Sequence, residues 1–336
     1  MFTLRVVANL KEREGIMSIK SYKGFNPDMT CRNFKYEEGK EYETETAEVC
    51  INGFHACEMP LEVFQYYPPI KSVYHEVEQD GDISKADDGS TKIASTKIKI
   101  GTSIGIKGLV KAQIGFVFEK SKNTTLGNDS TAASSKYKST AASSGNWSTA
   151  ATSGNDSTAA TSGNDSTAAS SGDYSIAATS GYCSIAASSG HYSTAASSGH
   201  CSTAASSGDY STAVSSGHCS TAASAEYKST AVSSGYKSIA ASSGYKSSAV
   251  VSGTGSCAVT SGDESCAATF TPNGLAISCG KNCKVKGVIG SYIVLTEWND
   301  TSDELIDAKI VRVDGKKIKA DTLYSLKNGE FIECLE

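Results

Sequence analysis

From Ser130 onward the polar and apolar positions repeat every nine residues, without insertion or deletion, as far as Ser265. The unit is S-x-A-x-x-S-G-x-x. Its first Ser and its Ala recur in all sixteen units, from Ser130 to Ser265 and from Ala132 to Ala267. Gly holds the seventh place except at Lys136, Glu226 and Thr271. Such a unit supplies one strand of about five residues and a tight turn, and a fixed Gly predicts positive φ there. Nine residues cannot close a coil around a core, but two units can. The ninth place supports this: Tyr174, Tyr192 and Tyr210 interleave with Cys183, Cys201 and Cys219, and each set is spaced by eighteen. The expected fold is mainly β, a two-sheet parallel β-solenoid of eighteen residues per coil over 91–290, its regular repeats covering 130–270. Eight coils at roughly 4.8 Å each make a rod of about 38 Å.

Positions two and four of the unit lie on one side of the strand. Position two is mostly Thr, with Ile176, Ile185 and Ile239; position four is mostly Ala, with Val214, Val232, Val250 and Val259. This apolar exchange predicts a thin core built from positions two and four. The Ser and Ala of positions one and three would then form a flat outer surface; the opposite assignment packs the invariant Ala inside. A flat surface close to the backbone invites a second copy, so a homo-oligomer is expected.

The flanks break the period. Residues 17–90 are expected to form an α+β head, with a strand near 18–25, a turn and short strand at 52–58, a helix starting at Pro60, and an alternating strand at 72–78. Short Gly-punctuated apolar runs at 91–118 are expected to begin the solenoid irregularly. Residues 291–336 should form a small β cap, with strands at 292–295, 308–313 and 331–334 and Asp314-Gly315 as the hairpin signal. The run Lys11-Glu12-Arg13-Glu14-Gly15 looks like a translated ribosome-binding site. Met17 is therefore the expected natural start, with 1–16 mis-assigned or disordered.

Four motifs carry a resemblance: Tyr22-Lys23-Gly24-Phe25, Met29-Thr30-Cys31-Arg32, the run N-G-F-H-A-C-E-x-P-L-x-V-x-x-Y-Y-P from Asn52, and S-V-Y-H-E-V-E from Ser72. Together they resemble a group of phage and prophage proteins that share an N-terminal module of unknown function. Members also carry the nine-residue repeat and a terminal K-N-G-E-F segment, matched by Lys327 to Phe331. The resemblance implies a phage setting and assigns no reaction. The repeat alone is similar to the β-roll heads of trimeric bacterial adhesins, which implies a solenoid and oligomers. A fainter resemblance links Gly53-Phe54-His55-Ala56-Cys57 and Tyr66-Tyr67 to the G-I-Y-F-A…Y stretch of poly-ADP-ribosyltransferases. It implies a NAD-using head, in which a carboxylate stabilises an oxocarbenium-like transition state. The family's His-Gly is replaced by Lys23-Gly24, and Glu76 or Glu78 would have to be the acid. The head candidates are His55, Cys57, Glu58, Tyr66, Tyr67 and Glu76, and His55 is most simply a structural histidine.

Composition narrows the chemistry. A net charge of -5 leaves no basic field, so nucleic acid is not the expected partner. There is no run of eighteen apolar residues, so no membrane span is expected. Eleven scattered cysteines, an odd number, point to reduced thiols and a cytoplasm. Calcium would need a G-G-x-G-x-D pattern, but Asp156, Asp165, Asp173 and Asp209 are sporadic. His200-Cys201 and His218-Cys219 resemble zinc ligands, yet neighbours on a strand point apart. The aligned Thr rows resemble ice-binding faces, but Ile replaces Thr within them. No metal, cofactor or catalytic residue is expected. Positions eight and nine vary freely and carry the candidate partner-binding residues Tyr174, Tyr182, His191, Tyr192, His200, Tyr210, His218, Tyr227, Tyr236 and Tyr245. Tyrosine anchors interfaces at low entropic cost; the alternative is that the stacked rings only brace adjacent coils. The expected function is a non-enzymatic phage protein that binds and inhibits a host protein, a defence component, in the host cytoplasm. The alternatives are the NAD-using head and a virion fibre or spike.

Overall fold

The computed structural model describes residues 18–69, 71–86, 90–120, 124–299 and 301–334. The expected start at Met17 and the reading of 1–16 lie outside the described residues. The head contains β1 (Ile19–Phe25), β2 (Thr30–Cys31), β3 (Phe34–Lys35), β4 (Glu41–Glu43), β5 (Phe54–Cys57), a 3₁₀ helix (Pro60–Gln65), β6 (Val73–Lys85), β7 (Lys92–Ser103) and α1 (Ile106–Lys120). β1 pairs with β5 and β6, and β7 pairs with β6 and β5, so these four strands close into a small barrel that β4 extends along β7. Irregularities in β6 at His75/Val77 and Asp80/Ile83 add the bend that closure needs. Phe25, Tyr36, Ala56, Val77, Ile98 and Ile100 fill the interior.

The structure corrects the reading of 91–118. These residues complete the head. Ile98 and Ile100 are buried either side of exposed Lys99, the period of a strand, and this strand is β7. Leu109, Val110, Gln113, Ile114 and Val117 are then buried at helical spacing on α1. The helix expected after Pro60 is the 3₁₀ segment, so α1 is the α-helix of the head.

The solenoid has eighteen residues per coil. Each coil contributes one strand to each of two parallel sheets, in unbroken register such as Ala141↔Ala159 and Ala150↔Ala168. The expected faces are reversed. Position three, from Ala132 to Ala276, is the core, with each Ala 0–4% exposed. Positions two and four point outward: Ile185 and Ile239 are 45% and 46% exposed. Apolar exchange at these positions misled because one sheet's outer face is itself covered. Leu109, Val110, Ile114 and Val117 of α1 pack on Ala142, Ala160, Ala178, Ala196 and Val214, and Met59 of the head lies against Thr158. Among the described residues nothing packs on the outer face of the other sheet, the bare sheet.

From Ser148 onward the invariant Ser of position one is buried, and its hydroxyl can tie one coil to the next. Ser166 Oγ accepts the Ser148 N–H at 3.1 Å and donates to the Gly145 carbonyl at 3.1 Å. More directly, the Ser148 N–H to Ser166 Oγ bond recurs down the edge at Ser184, Ser202, Ser220 and Ser238. Each such bond contributes about 0.5–1.5 kcal/mol net.

Glycine at position seven has a different cause from the one expected. Positive φ falls at position nine, for example 53° at Trp147, 54° at Tyr174 and 51° at Cys183. Position seven is Gly because a Cβ on Gly217 would lie 1.6 Å from the Gly199 carbonyl oxygen, and one on Gly181 would lie 1.8 Å from that of Gly163. The αL residues are held by their amides, as where Cys183 N–H donates to the His200 carbonyl at 2.9 Å.

At the C-terminal end, the strand Tyr292–Trp298 continues the bare sheet and then pairs antiparallel with Leu305–Arg312. The strand Tyr324–Lys327 runs antiparallel on Lys284–Gly287, and Glu330–Glu333 pairs beyond it to end the covered sheet. The hairpin turn of the cap is Asn328-Gly329, with φ of 51° and 71°, between Tyr324–Lys327 and Glu330–Glu333. Asp314-Gly315, the expected hairpin, is an Asx turn in which Asp314 Oδ1 accepts the Lys316 and Ile318 amides.

Close approach at position seven makes a measurable difference between glycines. Gly217→Ala should destabilise the rod by about 1–3 kcal/mol through overpacking. Gly115→Ala, on α1 with open space around it, should stabilise by about 1 kcal/mol through helix propensity. Denaturant midpoints of the two variants check this, and an unshifted Gly217→Ala would remove the steric explanation.

Candidate functional site

Register places residues eighteen apart directly above one another, so each turn edge carries a ladder. On one edge Tyr174, Tyr192 and Tyr210 stack with ring centroids 5.0 and 4.9 Å apart and interplanar angles of 2° and 3°. The ladder continues edge-on to Tyr227 at 5.4 Å, and from there to Tyr245 at 5.9 Å. On the opposite edge Tyr182, His200, His218 and Tyr236 stack at 5.1, 4.8 and 4.8 Å, with Cys183, Cys201 and Cys219 alongside. His191 stands outside the stacks, its Nδ1 3.7 Å from Asp209 Oδ2. These rings face solvent: Tyr174, Tyr182, Tyr192, Tyr210, Tyr236 and Tyr245 are 39–51% exposed. An offset pair of this kind contributes about 0.5–1.5 kcal/mol beyond its buried area.

The amide-rich turns nearer the head have a structural cause. Asn128 Oδ1 accepts the Asn146 amide, Asn146 Oδ1 that of Asn164, and Asn164 Oδ1 that of Tyr182, each at 2.9–3.0 Å. Asn155 and Asp173 do the same on the other edge. Asp209 repeats the bond within the aromatic stretch, where its Oδ1 accepts the Tyr227 amide at 3.1 Å. Along the bare sheet, the Ala of position four and the Ser of positions five and six line a shallow groove of about 1010 Å³.

The head holds a second site, a cavity of about 820 Å³. β1 contributes Lys23, and the β2–β3 hairpin contributes Cys31, Arg32 and Phe34. Arg32 and Asn33 form its two-residue loop with φ of 52° and 66°, the type I′ pattern. Tyr36, Tyr42, Phe54, Tyr66 and Tyr67 supply aromatic walls, and Lys92 of β7 sits 4.9 Å over the Tyr66 ring. Lys23 is 5% exposed; its Nζ donates to the His55 carbonyl at 2.8 Å and lies 5.5 Å from the Phe25 ring. Burial pushes its pKa down. Cys31 Sγ and Tyr67 Oη are 2.6 Å apart.

The cavity gathers four of the head candidates: His55, Cys57, Tyr66 and Tyr67. His55 Nε2 accepts the Cys50 amide at 2.9 Å and Nδ1 donates to the Gly53 carbonyl at 3.2 Å, so the neutral ring clasps the preceding loop. The Cys57 thiol is buried, and burial, then Glu62, raise its pKa well above normal, which keeps it protonated and inert. Glu58 and Glu76 lie outside the cavity lining and pair with Lys85 and Lys20, each at 2.9 Å. Neither they nor Glu78 completes the transferase arrangement around His55 and the tyrosine pair. Sequence reasoning missed Lys23, Cys31, Arg32, Tyr36 and Lys92. The signal was weak: a lysine inside a strand, and a hairpin turn made of Arg-Asn in place of Asn-Gly.

Burial, with Lys23 next in importance, holds His55 below its usual pKa of 6.5. The unfolded chain therefore binds the extra proton first, so head stability rises with pH up to about 6.5 and falls as the solution is acidified below it. His55→Gln should flatten that slope. Stability measured against pH for both proteins checks it, and an equal slope in the variant removes His55 as the cause.

Residues 19–112 match a domain of unknown function, DUF7666, a stretch that contains the barrel and the first half of α1. No curated protein matches the chain. No solved structure matches it.

Proposed function

We propose that this chain is a non-enzymatic binding protein of phage origin that works in the host cytoplasm, holding a host protein, a defence component, against the turn edge of its rod. The observation that carries this reading is the exposed tyrosine ladder. Evenly spaced rings on a rigid backbone offer apolar area whose rotamers are already restricted, which lowers the entropic cost of association. Among the described residues no helix is long and apolar enough to cross a membrane. The phage setting and the choice of a host target rest on the motif resemblance.

The second element of the proposal is a homo-oligomer formed through the bare sheet. Its position-two row, including Ile185 and Ile239, is a ridge beside the Ala-lined groove, and both repeat at the coil spacing. A second copy carries the same period and can lay its ridge in that groove. Eight coils of strands about 13 Å long present roughly 500 Å² in plan on each copy, near the lower bound for a specific interface.

Tyr192→Ser with Tyr210→Ser should weaken capture of the partner from host lysate more than tenfold and barely move the melting temperature. A large fall in melting temperature with unchanged capture would make the ladder a brace alone. For assembly, sedimentation at micromolar concentration should find a dimer or trimer, and Ala187→Glu with Ala205→Glu should yield monomers. A monomeric parent protein would end that part of the proposal.

A further inference from the structure

We propose that the head cavity binds a small ligand that joins an anionic group to a planar ring, of the nucleoside-phosphate class. Lys23 and Arg32 receive the anion, and the walls of Tyr36, Tyr66 and Tyr67 receive the ring.

The case begins with Lys23. Its ammonium is buried, and among the described residues it has no carboxylate within ion-pair reach; Nζ donates to the His55 carbonyl and lies 5.5 and 5.7 Å from the Phe25 and Tyr36 rings. An ammonium carries three donors, and leaving a buried charge uncompensated is costly. Packing does not require it, since a methionine fills similar space without the charge. Burial lowers its pKa, and the neighbouring Cys31 sulfur opposes that shift only in part. A bound anion would offset it.

The surroundings repeat the same bias. Arg32 lines the mouth from an αL turn, a conformation that costs about 1–2 kcal/mol for a residue with a Cβ. Lys92 stands on the Tyr66 ring. In a chain of net charge -5, the described residues that line this cavity include the three cations Lys23, Arg32 and Lys92 and one carboxylate, Glu43. Glu41, Glu78 and Asp80 line a separate small recess with Lys97 and Lys99. The ring's place follows from the walls. Phe34, Tyr36 and Tyr42 are locked edge-to-face at 4.8–5.4 Å, which leaves a rigid aromatic boundary. A volume of about 820 Å³ is within the range of sites that enclose small ligands. Burial raises the pKa values of Tyr36 and Tyr67, so both phenols stay protonated as donors.

Calorimetric titration of the full chain with ADP tests this, with adenosine and pyrophosphate as separate arms. Saturable ADP binding is expected, with each partial ligand at least tenfold weaker. Lys23→Met should lower ADP affinity at least tenfold while the head melts no lower than in the parent, because the variant removes a buried charge that has no carboxylate partner. Arg32→Gln, on an exposed turn that cannot unfold the barrel, should weaken ADP at least threefold. No saturable binding of ADP overturns the proposal. So does unchanged affinity in Arg32→Gln, or adenosine or pyrophosphate binding as tightly as ADP.

Discussion

A coil of eighteen residues encloses almost no room, and the rest of the molecule answers to that narrowness. At position three only a methyl group fits between the two sheets, from Ala132 to Ala276, and position five adds small inward side chains such as Thr161 and Val251. At the turns, successive backbones pass so closely that position seven admits no Cβ above Gly199 or Gly163. A methyl ladder buries little apolar area per residue, so the hydrophobic contribution per coil is small. What holds the rod is therefore largely directional. Parallel ladder bonds run along both sheets, and along one edge a buried Ser hydroxyl ties each turn to the one beneath it. The invariance of the motif records steric and hydrogen-bonding limits, and it carries no information about a ligand.

The two sheets begin as near equivalents and are made different by the head. α1 lies across the covered sheet from the strand Thr140–Ser143 to the strand Thr212–Ser215. Position four on that sheet becomes Val at Val214, Val232 and Val250, while the facing row on the bare sheet stays Ala until Val259. The larger side chains stand beneath or beyond the helix, where outward bulk can be buried. Variation that looked like core tolerance is thus a trace of how the head docks.

The period, the parallel two-sheet coil and the pairing of edges were legible because each depends on spacing alone. Tyr174 over Tyr192 and Cys183 over Cys201 follow from counting to eighteen. The inward face was not legible, because positions two to five alternate small residues whose polarity barely differs, and Thr, Ala and Ser suit either side of so thin a wall. β7 and α1 are hard to separate from irregular repeats because glycines break their apolar runs, although Ile98-Lys99-Ile100 has a strand period and 109–117 a helical one. In the cap, Asn328-Gly329 and Asp314-Gly315 carry similar turn signals, and only the first joins two paired strands. The cavity was the hardest feature to foresee. Lys23, Arg32 and Tyr66 come from segments far apart in sequence, and only barrel closure brings them together.

Rod and head divide two kinds of constraint. The rod spends its invariance on closure and leaves positions eight and nine free, since a side chain on an αL turn residue points away from the coil. There any residue that tolerates αL, or any ring that stacks on its copy one coil away, is acceptable; that freedom is what lets a surface diversify without altering the backbone beneath it. The head does the opposite. It keeps a buried lysine without a carboxylate and an arginine at positive φ, features that lower stability and persist only where the surrounding structure over-determines them. The docking of α1 along five strands supplies such a surround, because the barrel cannot relax its 3₁₀ segment without disturbing Leu61, whose amide donates to Gln113 of that helix at 3.0 Å. A regular rod thereby steadies an irregular, charge-bearing cavity, and the two parts of the chain differ in sequence character because they meet different physical demands.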